Sequence, residues 1–145
     1  MKKILFFLLL LGVIAACEKK KAVETAQMSK LPDDFREFYQ KFHADSIYQH
    51  RHIQFPVQGL PQDVDSATVA ENDFYFTEDV WKNHNAIDFS KGEFSQDLLL
   101  ISERMIRERI YKTDNTYGLE RRFAKLSDEQ WYLIYYIAPN YFTKK

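Results

Sequence analysis

Near its C-terminus the chain runs Trp131-Tyr132-Leu133-Ile134-Tyr135-Tyr136-Ile137, aromatic or aliphatic at every position. The aromatic and β-branched content favours a strand, and a strand that is apolar on both faces has to be covered on both. A helix on one face, and another subunit or the chain's own termini on the other, are the coverings expected. Alternation along that strand puts Trp131, Leu133, Tyr135 and Ile137 on one face, where an exposed apolar patch would mark an interface. A homodimer or a partner protein of the cell envelope is expected there.

A four-residue connection, residues 127–130, leads into this strand, and a turn at Asp114-Asn115 lies upstream. Folding the flanking segments about that turn pairs Ile110 with Leu119, Glu108 with Arg121, Ile106 with Phe123 and Arg109 with Glu120. Two apolar and two opposite-charge pairs emerge from one register, although Arg107 then faces Arg122. Residues 96–112 also fit a helical period through Leu98, Ile101 and Met105. The strand reading is preferred from about Ile106 onward, and residues 98–101 stay open between the two.

Leu31-Pro32-Asp33-Asp34 is a helix start, with proline tolerated in the first turn and early carboxylates complementing the helix dipole. Phe35, Phe38, Tyr39 and Phe42 follow at i, i+3, i+4 and i+7, so one strongly aromatic stripe must pack on something broad. Asp45 or Ser46 caps a second short turn through Gln49. Ile53-Gln54-Phe55 reads as a short strand stopped by Pro56, and Gly59-Leu60-Pro61 breaks the chain again. In the less legible middle, Phe74-Tyr75-Phe76 is β-prone, Thr77-Glu78-Asp79 resembles a helix cap before Trp81, and Ser90-Lys91-Gly92 reads as a turn.

The first sixteen residues read as a leader, with Lys2 and Lys3 before an apolar run, Ile4 to Ile14, that is too short to span a bilayer. It ends Ile14-Ala15-Ala16-Cys17, which resembles the lipobox of bacterial lipoproteins. Cys17 is the only cysteine, so no internal disulfide can form, and lipidation accounts for both its presence and its solitude. The expected organisation is a signal peptide over residues 1–16, a lipidated Cys17 and tether over 17–30, and one domain over 31–145. The tether carries Lys19-Lys20-Lys21 and reaches roughly 20 Å when flexible. The implied location is a membrane anchor, on the periplasmic side in preference to the cell surface. A formal net charge of −1, lower still without Lys2 and Lys3, argues against a nucleic-acid partner.

A leading amphipathic helix, a short strand, an irregular middle and long C-terminal antiparallel strands follow the order of the nuclear-transport-factor-two-like fold. The spacing Phe35-x-x-Phe38-x-x-x-Phe42-x-x-Asp45, then Gln49, then Ile53-Gln54-Phe55-Pro56, with Trp81 and Trp131-Tyr132-Leu133 later, resembles an uncharacterised family of small Bacteroidetes lipoproteins. That resemblance implies an α+β fold in which an N-terminal helix packs on a curved antiparallel sheet, the cystatin-like cone. It implies no activity and no catalytic residues.

Chemistry is sparsely signalled. His43, His50 and His52 fall within one stretch, FHADSIYQHRHIQF, yet they lack the local signature of a zinc site and read as the polar edge of a helix-to-strand corner. There is no Gly-x-Ser-x-Gly and no phosphate-cradling glycine loop, and neither metal nor cofactor is expected. The sharper candidate is a pocket. Glu108 and Arg121 share a face with Ile106, Ile110, Leu119 and Phe123, Tyr136 arrives beside Arg121 from the next strand, and His52 stands one residue before a strand. A charged pair on an apolar face is costly unless it is hydrogen-bonded or shared with a ligand or water. The expected role is a lipid-anchored small-molecule-binding or protein-interaction module. A small acid/base enzyme of isomerase or hydrolase type, using the cavity between helix and sheet, is the alternative.

Overall fold

The computed structural model describes residues 27–64, 74–114 and 116–141, so the leader, Cys17 and most of the tether lie outside the described residues. No helix among the described residues is long and apolar enough to cross a membrane. The compact unit that carries the sheet begins at Leu31.

Its elements are α1 (Asp33–Ala44), α2 (Ser46–Arg51), β1 (Ile53–Leu60), β2 (Phe74–Phe76), β3 (Phe94–Ser102), β4 (Met105–Lys112), β5 (Tyr117–Lys125) and β6 (Trp131–Tyr141). Two single 3₁₀ turns, Glu78–Val80 and Phe89–Lys91, interrupt the stretch between β2 and β3. The six strands form one sheet in the order β2-β1-β6-β5-β4-β3. All neighbours are antiparallel except β1 and β6, which run parallel, so the sheet is mixed where an antiparallel one was expected. Four other strands intervene in sequence between β1 and β6, and that length removes the antiparallel constraint that a short hairpin imposes.

Helix α1 begins after Pro32, and Asp34 accepts a hydrogen bond from the Phe35 amide at 2.8 Å while pairing with Lys125 at the end of β5 at 2.8 Å. The aromatic stripe packs around one residue of β5: the rings of Phe35, Phe38 and Phe42 all lie 5.6 Å from that of Phe123, and Tyr39 stands 6.1 Å away edge-on. Asp45 caps α2 by accepting from the Ile47 and Tyr48 amides at 2.8 and 3.0 Å. Ile106, Ile110, Leu133 and Val57 complete this buried layer.

The β4–β5 register is the one read from the charge and apolar pairs, including Glu108 opposite Arg121 and the like-charge apposition of Arg107 and Arg122. Residues 98–101, left open between helix and strand, belong to β3. Pro56 does not stop β1, which continues to Leu60. The β1–β6 register shifts between Ile53 and Gln58, and a proline with no N–H to donate is tolerated in such an irregular stretch.

The face expected to carry Trp131, Leu133, Tyr135 and Ile137 together is divided. Phe123 pairs with Leu133 and Arg122 with Tyr135, so Ile134 is an extra residue on β6 and the alternation reverses there. Trp131 and Leu133, 3% and 0% exposed, turn into the core beneath α1, where the Trp131 ring meets Phe35 at 5.0 Å. Tyr135 stays on the outer side under the Arg122 guanidinium, 4.4 Å from its centroid, and Ile137 pairs there with Glu120.

Candidate functional site

Beneath the C-terminal half of α1 the apolar layer gives way to a polar one. Glu108 on β4 and Arg121 on β5 are 0% and 2% exposed, and Arg121 Nε donates to Glu108 Oε2 at 2.6 Å. The other carboxylate oxygen accepts from the Tyr39 hydroxyl and from Gln96 Nε2, the latter at 2.6 Å. Gln96 Nε2 also reaches the Tyr39 oxygen at 2.7 Å. Tyr39 thus serves two layers at once, its ring beside Phe123 and its hydroxyl on the carboxylate.

Arg121 NH1 points at two imidazoles, His43 Nε2 at 3.0 Å and His84 Nδ1 at 3.4 Å. A guanidinium only donates, so both nitrogens accept, and each ring is neutral with its proton on the other nitrogen. For His43 that proton goes from Nδ1 to the Tyr39 carbonyl at 2.9 Å. Burial, reinforced by the charge of Arg121, holds His43 below the ordinary histidine range. The same causes, with His43 adding to them, bring His84 down to about 3. Burial and the Glu108 charge push the Tyr39 hydroxyl well above its ordinary value. Burial alone would lower Arg121, but the Glu108 charge and hydrogen bond together with Tyr39 and Tyr136 more than offset it, and the guanidinium is held more firmly protonated than usual.

His84 sits in the irregular segment after the first 3₁₀ turn, and Gln49 of α2 fixes it there. The buried Gln49 amide donates to the Phe42 and His84 carbonyls, both at 2.7 Å, and accepts from the His84 amide at 2.6 Å. This positions the imidazole against Trp81 and Tyr136, with ring centroids 4.7 and 4.5 Å away. Trp81 in turn meets Phe55, Phe76 and Tyr136 at 5.7, 5.9 and 5.5 Å. These five rings are half-buried and form an aromatic cluster beside the Arg121 end of the polar layer. Within it the Trp81 indole N–H is buried with no hydrogen-bond acceptor among the described residues.

Of the four residues grouped from the sequence as a pocket, Glu108, Arg121 and Tyr136 come together, Tyr136 directly opposite Arg121 on β6. His52 goes elsewhere. Its ring stacks on Tyr48 at 3.8 Å and on Tyr132 at 5.5 Å, and bonds to the Tyr48 carbonyl and the Gln130 side chain. Its carbonyl accepts from the Leu133 amide, about 10 Å along β6 from Tyr136 at strand spacing. His50 pairs with Glu78 at 2.7 Å. Among the described residues no three His, Cys, Asp or Glu side chains gather as metal ligands. Sequence reasoning left Tyr39, Gln96, His43, His84 and Trp81 out of the group. The one usable signal was the Tyr39 hydroxyl, which needs a partner wherever the stripe is buried.

No protein-family model and no curated protein matches the chain, so its resemblance to the uncharacterised lipoprotein family stays a likeness of residue spacing. Solved structures do match. A cystatin-like protein of Bacteroides caccae is 17% identical, with 73% of this chain and 76% of that one covered and a TM-score of 0.54. An NTF2-like (nuclear-transport-factor-two-like) protein of Bacteroides fragilis is also 17% identical, with 72% of this chain and 46% of that one covered and a TM-score of 0.45. A Parabacteroides distasonis protein, named as a candidate ketosteroid isomerase, is 10% identical, with 74% and 84% covered and a TM-score of 0.40. The first of these defines the class: the domain has a cystatin-like α+β fold. At such identities the likeness extends to the fold alone.

Proposed function

We infer that the chain is a lipid-anchored protein of the cell envelope, attached through Cys17 on the periplasmic side, whose domain binds a small molecule without transforming it. The observation that carries the reading is the Trp81 N–H, buried among Phe55, Phe76, His84 and Tyr136 without an acceptor among the described residues. An unsatisfied buried donor costs about 1–3 kcal/mol, a cost removed when a ligand supplies the acceptor. The surrounding rings suit a flat, mostly apolar molecule that brings one hydrogen-bond acceptor.

The proton inventory supports binding over acid/base catalysis. A general base works best with a pKa near the working pH. Here His84 is held at about 3, His43 is lowered and Tyr39 is raised well above its ordinary range, so these groups keep fixed protonation states at neutral pH.

The chain from residue 17 onward, carrying Cys17→Ser so that no detergent is needed, provides the test with 1-anilinonaphthalene-8-sulfonate, a flat aromatic body with one anionic group. Saturable binding at one site, weakened about threefold to tenfold by Trp81→Phe, is the expected result, as one hydrogen bond is lost and the ring kept. Affinity unchanged in Trp81→Phe and Tyr136→Ala would place the probe elsewhere and remove the support. For the anchor, palmitate labelling of the full chain in cells is expected to disappear in Cys17→Ser, and persistent labelling would refute lipidation at that residue.

A further inference from the structure

The outer face of the sheet, turned away from α1 and the aromatic cluster, gathers Arg107 and Arg109 of β4 with Arg122 of β5, which lies directly opposite Arg107. Their neighbours on this face are Asp97 and Leu99 on β3, Glu120 on β5 and Tyr135 on β6.

The two carboxylates are unevenly shared. Glu120 has both oxygens engaged: Oε1 accepts from Arg122 Nε at 2.8 Å and from its NH2 at 2.7 Å, and Oε2 accepts from Arg109 Nε at 3.1 Å. Asp97 also stands opposite Arg109. Arg107 has Leu99 on one side and Arg122 on the other, and no ion pair joins it among the described residues. Three guanidinium groups against two carboxylates leave one positive charge over, and it falls at Arg107.

An ordinary surface arginine is satisfied by water, but two features set Arg107 apart. Its Nε–H is buried and meets no acceptor among the described residues, a cost that water does not relieve. Its cross-strand neighbour is a second guanidinium held in place, stacked 4.4 Å from the Tyr135 centroid and tied to Glu120. An anion set between the two forks relieves that repulsion.

We propose that the outer face binds the carboxylate of a small molecule between Arg107 and Arg122. A guanidinium presents paired donors in a plane, which match the two oxygens of a carboxylate. Arg107 gives up no ion pair to receive it, whereas Arg109 would have to leave Glu120. Arg122 keeps its bonds to Glu120 through Nε and NH2 and adds one through NH1. The charge left over is matched by one carboxylate, while a phosphate monoester brings roughly −1.5 to −2 and would overshoot it beside Glu120 and Asp97. Leu99, 45% exposed, and the Tyr135 ring stand at the two ends of this row, so the ligand body next to the carboxylate is apolar. The site lies across the sheet from Trp81 and rests on none of its contacts.

Benzoate, titrated by calorimetry into the full chain in a neutral detergent at low ionic strength, provides the test. Saturable binding at one site is the expected result. Arg107→Ala is expected to weaken it at least about tenfold, the scale of losing a charge-assisted contact. Arg107→Lys keeps the charge without the fork and is expected to recover only part of that loss. Trp81→Phe is expected to leave benzoate affinity unchanged, and benzyl alcohol, the same body without the charge, is expected not to compete. The proposal is overturned by an absence of saturable binding, by an affinity in Arg107→Ala within about twofold of the native chain, or by full affinity in Arg107→Lys. Tighter binding of inorganic phosphate than of benzoate, or competition by benzyl alcohol, would overturn it too. Affinity lost in Trp81→Phe and kept in Arg107→Ala would assign benzoate to the aromatic cluster, removing the outer site while leaving the ligand inferred at Trp81 in place.

Discussion

Glu108 and Arg121 lie directly opposite each other on adjacent strands, joined by a 2.6 Å hydrogen bond and shut away from water. Two charges buried this deeply are costly to desolvate, and the pair persists because its surroundings also answer to it. Tyr39 and Gln96 donate to the carboxylate, while His43 and His84 accept from the guanidinium.

Removing one member leaves the other charge unpaired in the interior. Arg121→Leu is expected to destabilise the domain by about 3–5 kcal/mol, measured from urea unfolding midpoints. The double variant Glu108→Leu/Arg121→Leu is expected to lose less than that single variant. With both charges gone, Gln96 and Tyr39 still satisfy each other. Additive losses in the double variant would show that the two residues are not energetically coupled.

How much of this was legible beforehand depends on distance along the chain. The β4–β5 register followed from charge and apolar pairing about one local turn, so the apposition of Glu108 and Arg121 was readable from residues 106–123 alone. The aromatic stripe of α1 was readable for the same reason, since its period is local. The β6 face was not, because one inserted residue at Ile134 reverses the side chains from Tyr135 to Ile137 and leaves no mark in a run where all positions are apolar. The polar partners of Arg121 were hidden differently. His43 and His84 are 41 residues apart, and they meet only because Gln49 pins the irregular segment against α1 and α2. His52, the histidine favoured from the sequence, stands at the wrong height on the sheet.

The neutral imidazoles give the fold a pH dependence of definite sign. The folded protein keeps His84 unprotonated down to about pH 3, whereas the unfolded chain takes up that proton near 6.5. Between those values the unfolded state binds more protons, so stability rises with pH. It is complete above about 6.5 and falls on acidification, with a slope of up to about 1.4 kcal/mol per pH unit from this group, until about pH 3. His43, also lowered, acts in the same direction. Urea midpoints from pH 7.5 down to 4.5 are expected to decline in the native chain and to decline less steeply in His84→Gln. Identical slopes would mean that His84 titrates normally when folded.

At Gly59 the parallel pairing of β1 with β6 leaves no room for a side chain. A Cβ there would stand 1.7 Å from the Tyr136 carbonyl oxygen and 3.2 Å from the Phe76 ring. The obstacle is backbone in the middle of the sheet, so a rotamer change gives no relief. Gly59→Ala is expected to cost more than about 3 kcal/mol or to prevent folding, seen as lost thermal cooperativity in circular dichroism. A melting temperature within about 2 °C of the native chain would contradict the close approach.

The outer face has one mismatch that a substitution can correct. Arg109 lies between Asp97 on β3 and Glu120 on β5, with an ion pair to Glu120 at 3.1 Å, whereas Arg107 lies between Leu99 and Arg122. Arg122 turns away to Glu120, at 2.7 Å, and the buried Nε–H of Arg107 has no acceptor among the described residues. Like charges directly opposite on a sheet are destabilising, and opposite charges there contribute roughly 0.2–1 kcal/mol. Arg107→Glu replaces the repulsion with a pair to Arg122 and removes the unmatched donor. It is expected to raise the melting temperature by about 2–4 °C. Arg107→Ala removes the repulsion without forming the pair, so its expected gain is smaller. A lower melting temperature in both variants would show that Arg107 contributes a favourable interaction on this face, and the like-charge argument would then fail.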